Sequence, residues 1–337
     1  MKEKTGEILG KELGGVNQIL PHKHKYVWDL FLKSCANNWM PTEISMQNDI
    51  KQWKNNEITD DEKLLVKRCL GFFAGSESLV GNNLFTVAAR FITDPECGQY
   101  IMRQGFEESL HNHTIVYICD SLDLDVKEVY EAYQNIESIK AKDDFLMNIT
   151  TDVNRQGFNH ATKEGKQELL RNFLTYWIVC EGTFFFSGFA MLLALGRQNK
   201  LQGISDQIKY TLRDETNHIA FGTYVIKKII EQDPSIWTQK MQDEFVEHIK
   251  KAVELEIAYA HDVLPTGILG LNADMFVDYM HFIGNRRLES IGLDFRFPSD
   301  NNPFPWLGEV VDVQAMGNFF ERRVREYQQS GSLEDDF

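Results

Sequence analysis

Glu108-Ser109-Leu110-His111 and Glu215-Thr216-Asn217-His218 repeat one pattern, Glu-x-x-His, on stretches of helical composition. Residues three apart share a helix face, so each copy aims a carboxylate and an imidazole at one point. That is half of a dinuclear metal site. Bundles that hold two metals complete it with one Glu from each of two further helices. Glu77, within Leu70-Gly71-Phe72-Phe73-Ala74-Gly75-Ser76-Glu77, and Glu181, within Tyr176-Trp177-Ile178-Val179-Cys180-Glu181, are the matching carboxylates. Both interrupt apolar or small-residue runs, where an unpaired carboxylate carries a large desolvation cost. A cation relieves all four acids together. The chain order Glu, Glu-x-x-His, Glu, Glu-x-x-His makes the candidate metal ligands Glu77, Glu108, His111, Glu181, Glu215 and His218.

The helices that must position them are punctuated in the sequence. Thr59-Asp60-Asp61-Glu62 has the form of a capping box and opens a helix through Glu77 to about Phe91. Asp94-Pro95 opens the next, which carries Glu108 and His111 and fades near Asp123. A helix from about Lys166 to Leu195 holds Glu181, with Gly196 to end it. Ser205 is the expected opener of the helix bearing Glu215 and His218, which stops before Pro234. Amphipathic stretches over 239–263 and 273–291 are expected to wrap the bundle. Strand signals are scarce, so the expected fold class is all-α. His22, His24, His113, His160, His248, His261 and His281 lack matched acidic partners in the pattern, and Arg286-Arg287 and Glu321-Arg322-Arg323 read as solvated helix charges.

Composition narrows the function further. The 337-residue chain has a formal net charge of -15 and a pI near 5.1, which argues against a nucleic-acid surface. Five cysteines, with no C-x-x-C, suggest reduced thiols and a cytoplasmic protein. The N-terminus is charged and lacks the apolar region of a signal peptide. The stretch 176–195 is long and apolar enough to cross a bilayer, but Glu181 within it argues for a buried central helix and no membrane span.

These motifs together resemble the small, radical-generating (beta) subunit of class I ribonucleotide reductase. The resemblance is carried by Asn38-Trp39-Met40-Pro41-Thr42-Glu43, Glu77, Glu108-Ser109-Leu110-His111, Glu181-Gly182-Thr183-Phe184 and Arg213-Asp214-Glu215-Thr216-Asn217-His218, and extends from Trp39 to the C-terminal tail. It implies a ferritin-like helical bundle with additional helices, usually a homodimer. The family stores an oxidising equivalent and passes it to a cysteine of a separate large (alpha) subunit, where ribonucleotides are reduced. On this reading residues 1–320 form one dimetal domain with an N-terminal extension. Residues 321–337 form a flexible tail that docks the large subunit, with Leu333 and Phe337 as anchors.

One departure bears on the subtype. Most members carry a radical-forming tyrosine four positions after the first metal-binding histidine, and here that position is Ile115. An aliphatic side chain offers no accessible one-electron oxidation, and Tyr117 points elsewhere on an ideal helix. The chain therefore resembles class Ic, which lacks the tyrosine and uses a manganese/iron centre activated by O2. Glu77 in place of the more usual Asp agrees, whereas Ile115 departs from the Phe familiar in that subtype. Carboxylates and imidazoles accept Fe/Fe and Mn/Mn pairs as well. By the same resemblance Asp214 connects His111 to Trp39, Tyr327 bridges to the large subunit, and Tyr210, four positions before Asp214, carries electrons inward during activation. Two rival readings use the same bundle: a ligand-binding dimetal oxidase or monooxygenase, which needs a substrate channel, and an iron store, for which the chain is long.

Overall fold

The computed structural model describes residues 6–10 and 16–308, so Tyr327, the tail from 321 and the Glu321-Arg322-Arg323 charges lie outside the described residues. Its longer elements are helices, in order α1 (Lys25–Ala36), α2 (Gln47–Lys54), α3 (Asp60–Asn83), α4 (Pro95–Leu122), α5 (Val126–Tyr130), α6 (Ala132–Asn135), α7 (Glu137–Asn148), α8 (Lys163–Arg197), α9 (Gln202–Gln232), α10 (Gln239–Val263) and α11 (Met275–Ser290). Among the described residues no strand forms, and Ile268 and Leu271 make only an isolated bridge.

The helix starts follow local chemistry. Thr59 Oγ1 accepts from the Glu62 amide at 3.2 Å while Glu62 Oε2 accepts from the Thr59 amide at 2.9 Å, the reciprocal box expected for α3. Asp94 Oδ1 accepts from the amides of Glu96 and Cys97, with Pro95 at the first position of α4. Thr162 caps α8 through the Gly165 amide, three residues ahead of the expected start. The start of α9 also differs from expectation, at Gln202 and not Ser205. Its opening amides, Gly203 and Ile204, donate to the buried Asp49 carboxylate of α2 at 2.9 and 2.8 Å. This cap comes from more than 150 residues away, so no local motif announces it. Asp49→Ala leaves two amides unsatisfied at the N-terminus of a ligand-bearing helix and is expected to cost about 1–3 kcal/mol in denaturant unfolding. An unchanged midpoint would show that the carboxylate does not hold this end.

Four helices make the central bundle. α3 lies against α4 and α8, and α9 lies against α8 and α4. α8 is the apolar helix of membrane-span length, and 94% of its most apolar window is buried inside the protein. α8 and α9 approach closely because Gly222 has no side chain: a Cβ there would sit 2.2 Å from Trp177 Cγ. Glu181 lies four residues after Trp177 and His218 four before Gly222, so this contact sets two ligands in register. α1 covers α4 and α9, while α10 and α11 pack on each other and on α8. Outside the bundle, a fully buried Lys142 on α7 pairs with Glu256 on α10, its Nζ 3.2 Å from the Phe72 ring centroid and 4.1 Å from that of Tyr259.

Candidate metal centre

Helix periodicity alone brings Glu108 with His111 and Glu215 with His218; the bundle brings both pairs to Glu77 and Glu181. All six side chains are buried. Ligand atoms of Glu77, Glu108, His111 and Glu215 fall within 4.8 Å of one another, as do those of Glu108, Glu181, Glu215 and His218. The two groups share Glu108 and Glu215, so these carboxylates stand between two candidate ion positions. His111 Nδ1 lies 3.1 Å from Glu215 Oε1 and 3.5 Å from Glu77 Oε2. His218 Nδ1 lies 3.1 Å from Glu108 Oε1 and 3.3 Å from Glu215 Oε2. Both imidazoles thus turn Nδ1 inward.

The donor set fits a metal pair. Glu77 Oε2, Glu108 Oε2, His111 Nδ1, Glu181 Oε2 and Glu215 Oε1 are buried without a hydrogen-bond partner, and such atoms are costly unless a cation takes them. Four carboxylates also match the charge of two divalent ions. Burial drives Glu77 well above the usual carboxylate range, against the pull of His111. Burial does the same to Glu181, with the charges of Glu215 and Glu108 adding to it. For Glu108 burial is outweighed by the adjacent His111 and His218 imidazoles, and the carboxyl is held below its usual range. Burial would favour neutral imidazoles, yet Glu77 acting on His111 and Glu215 acting on His218 raise both well above the usual histidine range. Metal entry must displace these protons, so affinity falls as the pH is lowered.

The outward nitrogens each face an acid. Asp214, fully buried, lies with Oδ2 3.7 Å from His111 Nε2 and accepts the Trp39 indole N–H at 2.7 Å. Burial opposes its ionisation, but His111 and Arg213 keep its carboxyl below the usual range. The Tyr210 ring stacks on Trp39, centroids 5.2 Å apart. All the expected site residues within the described range therefore meet: six ligands, then Asp214, Trp39 and Tyr210 in a line outward.

The family model for "Ribonucleotide reductase, small chain" matches residues 16–303, most of the chain. The chain belongs to the ribonucleotide reductase small-chain family. It is 50% identical over 318 residues to the ribonucleoside-diphosphate reductase subunit beta of Chlamydia pneumoniae, covering 94% of this chain and 92% of that one. It is 27% identical to small chain 1 of Saccharomyces cerevisiae over 94% of this chain and 74% of that one. Among solved structures, the R2 subunit from Clostridium botulinum superposes with a TM-score of 0.78 at 27% identity, covering 86% of this chain and 89% of that one. A putative class I ribonucleotide reductase from Bacillus halodurans gives 0.76 at 25% identity, over 85% and 99%. The all-α ferritin-like fold expected from the motifs is the fold of these small chains.

Several features of this small chain were not legible beforehand. Glu181 lies in a π-helical stretch, Leu174–Phe184, inside α8. There the Thr183 hydroxyl donates to the carbonyl of Ile178, five residues back, at 2.9 Å, and Arg287 Nε donates to the Gly182 carbonyl. Arg287 is thus no solvated charge: it is drawn in over Phe186, and burial lowers its pKa to about 10, whereas Arg286 is exposed as expected. A Cβ on Gly182 would lie 2.9 Å from the Trp177 carbonyl oxygen, so the missing side chain is what lets the widened turn form. Gln104 donates to Glu181 Oε1 at 3.0 Å and to Glu108 Oε1 at 3.3 Å, while its own Oε1 accepts from Trp177 Nε1 at 3.4 Å. His218 Nε2 faces Glu107 Oε2 at 3.0 Å, the counterpart of Asp214. His22 and His24 do find acids, Glu96 at 2.8 Å and Asp94 at 3.7 Å, and these pairs anchor the N-terminal segment on α4 away from the centre.

Proposed function

We propose that this protein is the radical-generating small subunit of a ribonucleoside-diphosphate reductase of the class Ic kind. The observation that carries the reading is the line His111, Asp214, Trp39 leading outward from a ligand set with Ile115 at the tyrosine position. Ile115 is buried one helical turn from His111, and Tyr117 turns its hydroxyl away to donate to the Ile44 carbonyl at 3.1 Å. The six ligands would hold a Mn/Fe pair, which with O2 would supply a one-electron oxidant. Trp39 is the residue placed to lose an electron inward, with Asp214 holding the indole proton. Tyr210, stacked on Trp39 and partly exposed, passes electrons in during activation.

The partner in this reading is the large subunit, where deoxyribonucleotides are made. Residues 1–320 act as one domain and 321–337 as the docking tail, with Tyr327 receiving the hole from Trp39. A second copy of the chain covers the apolar face formed by Met102, Phe106 and Val116 of α4 with Phe85, just beyond α3, whose ring lies over Gly105; their relative exposures are 59%, 43%, 43% and 65%. Five free thiols agree with a cytoplasmic location. The test is ribonucleoside-diphosphate reduction by the metal-loaded chain with its cognate large subunit. Deleting Leu333 to Phe337 is expected to weaken that pairing at least about tenfold, the size of one lost apolar anchor. Equal affinity of the truncated chain would remove the tail from the account.

A further inference from the structure

The stretch between α1 and the turn at Pro41–Glu43 carries Trp39, and two arginines from two different metal helices reach it. Arg213 of α9 spans Asp214 Oδ1 and the Asn37 carbonyl, at 3.1 and 2.5 Å from Nη2. Arg103 of α4 spans Glu107 Oε1, at 3.0 Å from Nε, and Asn38 Oδ1, at 2.9 Å from Nη1. The two arrangements correspond. In each, the acid preceding a Glu-x-x-His faces the histidine of the opposite motif, and an arginine on that acid holds the residues beside Trp39. One arm runs His111, Asp214, Arg213, Asn37; the other runs His218, Glu107, Arg103, Asn38.

We infer that Glu107 and Arg103 are positioning residues for Trp39: a second arm that ties the Trp39 segment to the His218 half of the metal centre. Three features support this. Glu107 is fully buried and the Arg103 side chain is only 10% exposed, so both ends of the ion pair sit where hydrogen bonds are strong and geometry is fixed. Residues 37 to 40 lie outside regular helix, so side-chain bonds decide where the Trp39 backbone sits. The Trp39 to Asp214 bond is short, 2.7 Å, and a displacement of a few tenths of an ångström weakens it. With Asn37 held alone, the segment can pivot about that point; with Asn38 also held, the indole direction is set. Glu107 orients the Arg103 guanidinium for this and also keeps the proton of His218 on Nε2, leaving Nδ1 for the metal.

The inference rests on the proposed role of Trp39 for its functional meaning, but its test reads geometry directly. The full-length chain is labelled with 15N in its indoles, loaded with diamagnetic Zn(II), and the Trp39 indole N–H is assigned by its loss in Trp39→Phe. Solvent exchange of that proton is then compared between variants. Asn38→Ala, an exposed position where folding is not at risk, and Arg103→Met are each expected to speed exchange about fivefold to tenfold, the equivalent of one hydrogen bond. Glu107→Gln should act in the same direction. The double variant Asn38→Ala/Arg103→Met should be no faster than Arg103→Met, since both cut one arm. Arg90→Met, which removes an unrelated arginine, should leave the signal unchanged. Exchange in Asn38→Ala and Arg103→Met within about twofold of the parent would overturn the inference, as would additive effects in the double variant. If the parent chain showed no reductase activity with the large subunit, the exchange result would still stand, and the proposed function alone would fail.

Discussion

Trp39→Phe is expected to lower nucleotide reduction with the large subunit at least about a hundredfold, about 2.7 kcal/mol in barrier, while metal content stays that of the parent. Phenylalanine keeps most of the apolar surface packed at this buried position and can still stack on Tyr210, so the segment remains folded. What is removed is specific. The indole N–H donated to Asp214 at 2.7 Å disappears, and a benzene ring is far harder to oxidise by one electron than an indole. Asp214 retains its bonds from Arg213 and so stays in place beside the ligand histidine. A variant that loads two metals and still turns over at more than a tenth of the parental rate would refute the assignment of Trp39.

Glu181→Gln has a second large effect, with opposite signs on metal binding and on stability. Its carboxylate is poorly compensated: Oε2 has no hydrogen-bond partner, and burial together with Glu215 and Glu108 pushes its pKa well above the usual range. The sign of the pH dependence follows. A carboxyl raised in the folded state binds a proton more tightly there than when unfolded, so it lowers stability progressively as pH rises from the unfolded value toward the folded one. A neutral amide of the same shape removes that contribution. The metal-free variant is therefore expected to melt above the parent at pH 8 and level with it near pH 4. With metal the order reverses: one donor of the His218 group is replaced by a weaker one, and affinity for the second ion should fall by at least about the 10–100-fold seen when even supporting residues are lost. Melting curves with and without metal, and metal analysis after desalting, read both effects. A metal-free variant no more stable than the parent at pH 8 would show that Glu181 is not a strained acid.

How much could be read beforehand depended on the range of the interaction. The six ligands were legible because their signal is local: three-residue spacing on a helix, and lone acids inside apolar runs. Trp39 and Asp214 came from resemblance, and the structure then places them in contact. Glu107 had a signal that went unused, since an acid precedes each Glu-x-x-His, Glu107 before Glu108 and Asp214 before Glu215. Gln104 also sits four residues before Glu108, on its face of the helix, but a neutral amide does not announce itself as part of a metal site. Asp49 capping α9 and Arg287 on the Gly182 carbonyl join elements more than 100 residues apart, and nothing in either segment marks the other. The π-helical stretch around Glu181 was hidden for a different reason. The pattern Leu174 to Phe184 is apolar on every side, so it has no periodicity from which a change of helical pitch could be noticed.

Ile115 has the sharpest consequence. Ile115 is buried a turn from His111, and under the proposed function the oxidising equivalent therefore stays with the metals until Trp39 gives up an electron. The direct measurement is nucleotide reduction with the cognate large subunit after loading the metal-free chain with iron alone, manganese alone or both, with metal content and electron paramagnetic resonance recorded on the same samples. The account predicts high turnover only with manganese and iron together, one of each per chain, and no tyrosyl radical signal in the active protein. Full activity with iron alone, or a tyrosyl radical that tracks activity, would contradict it.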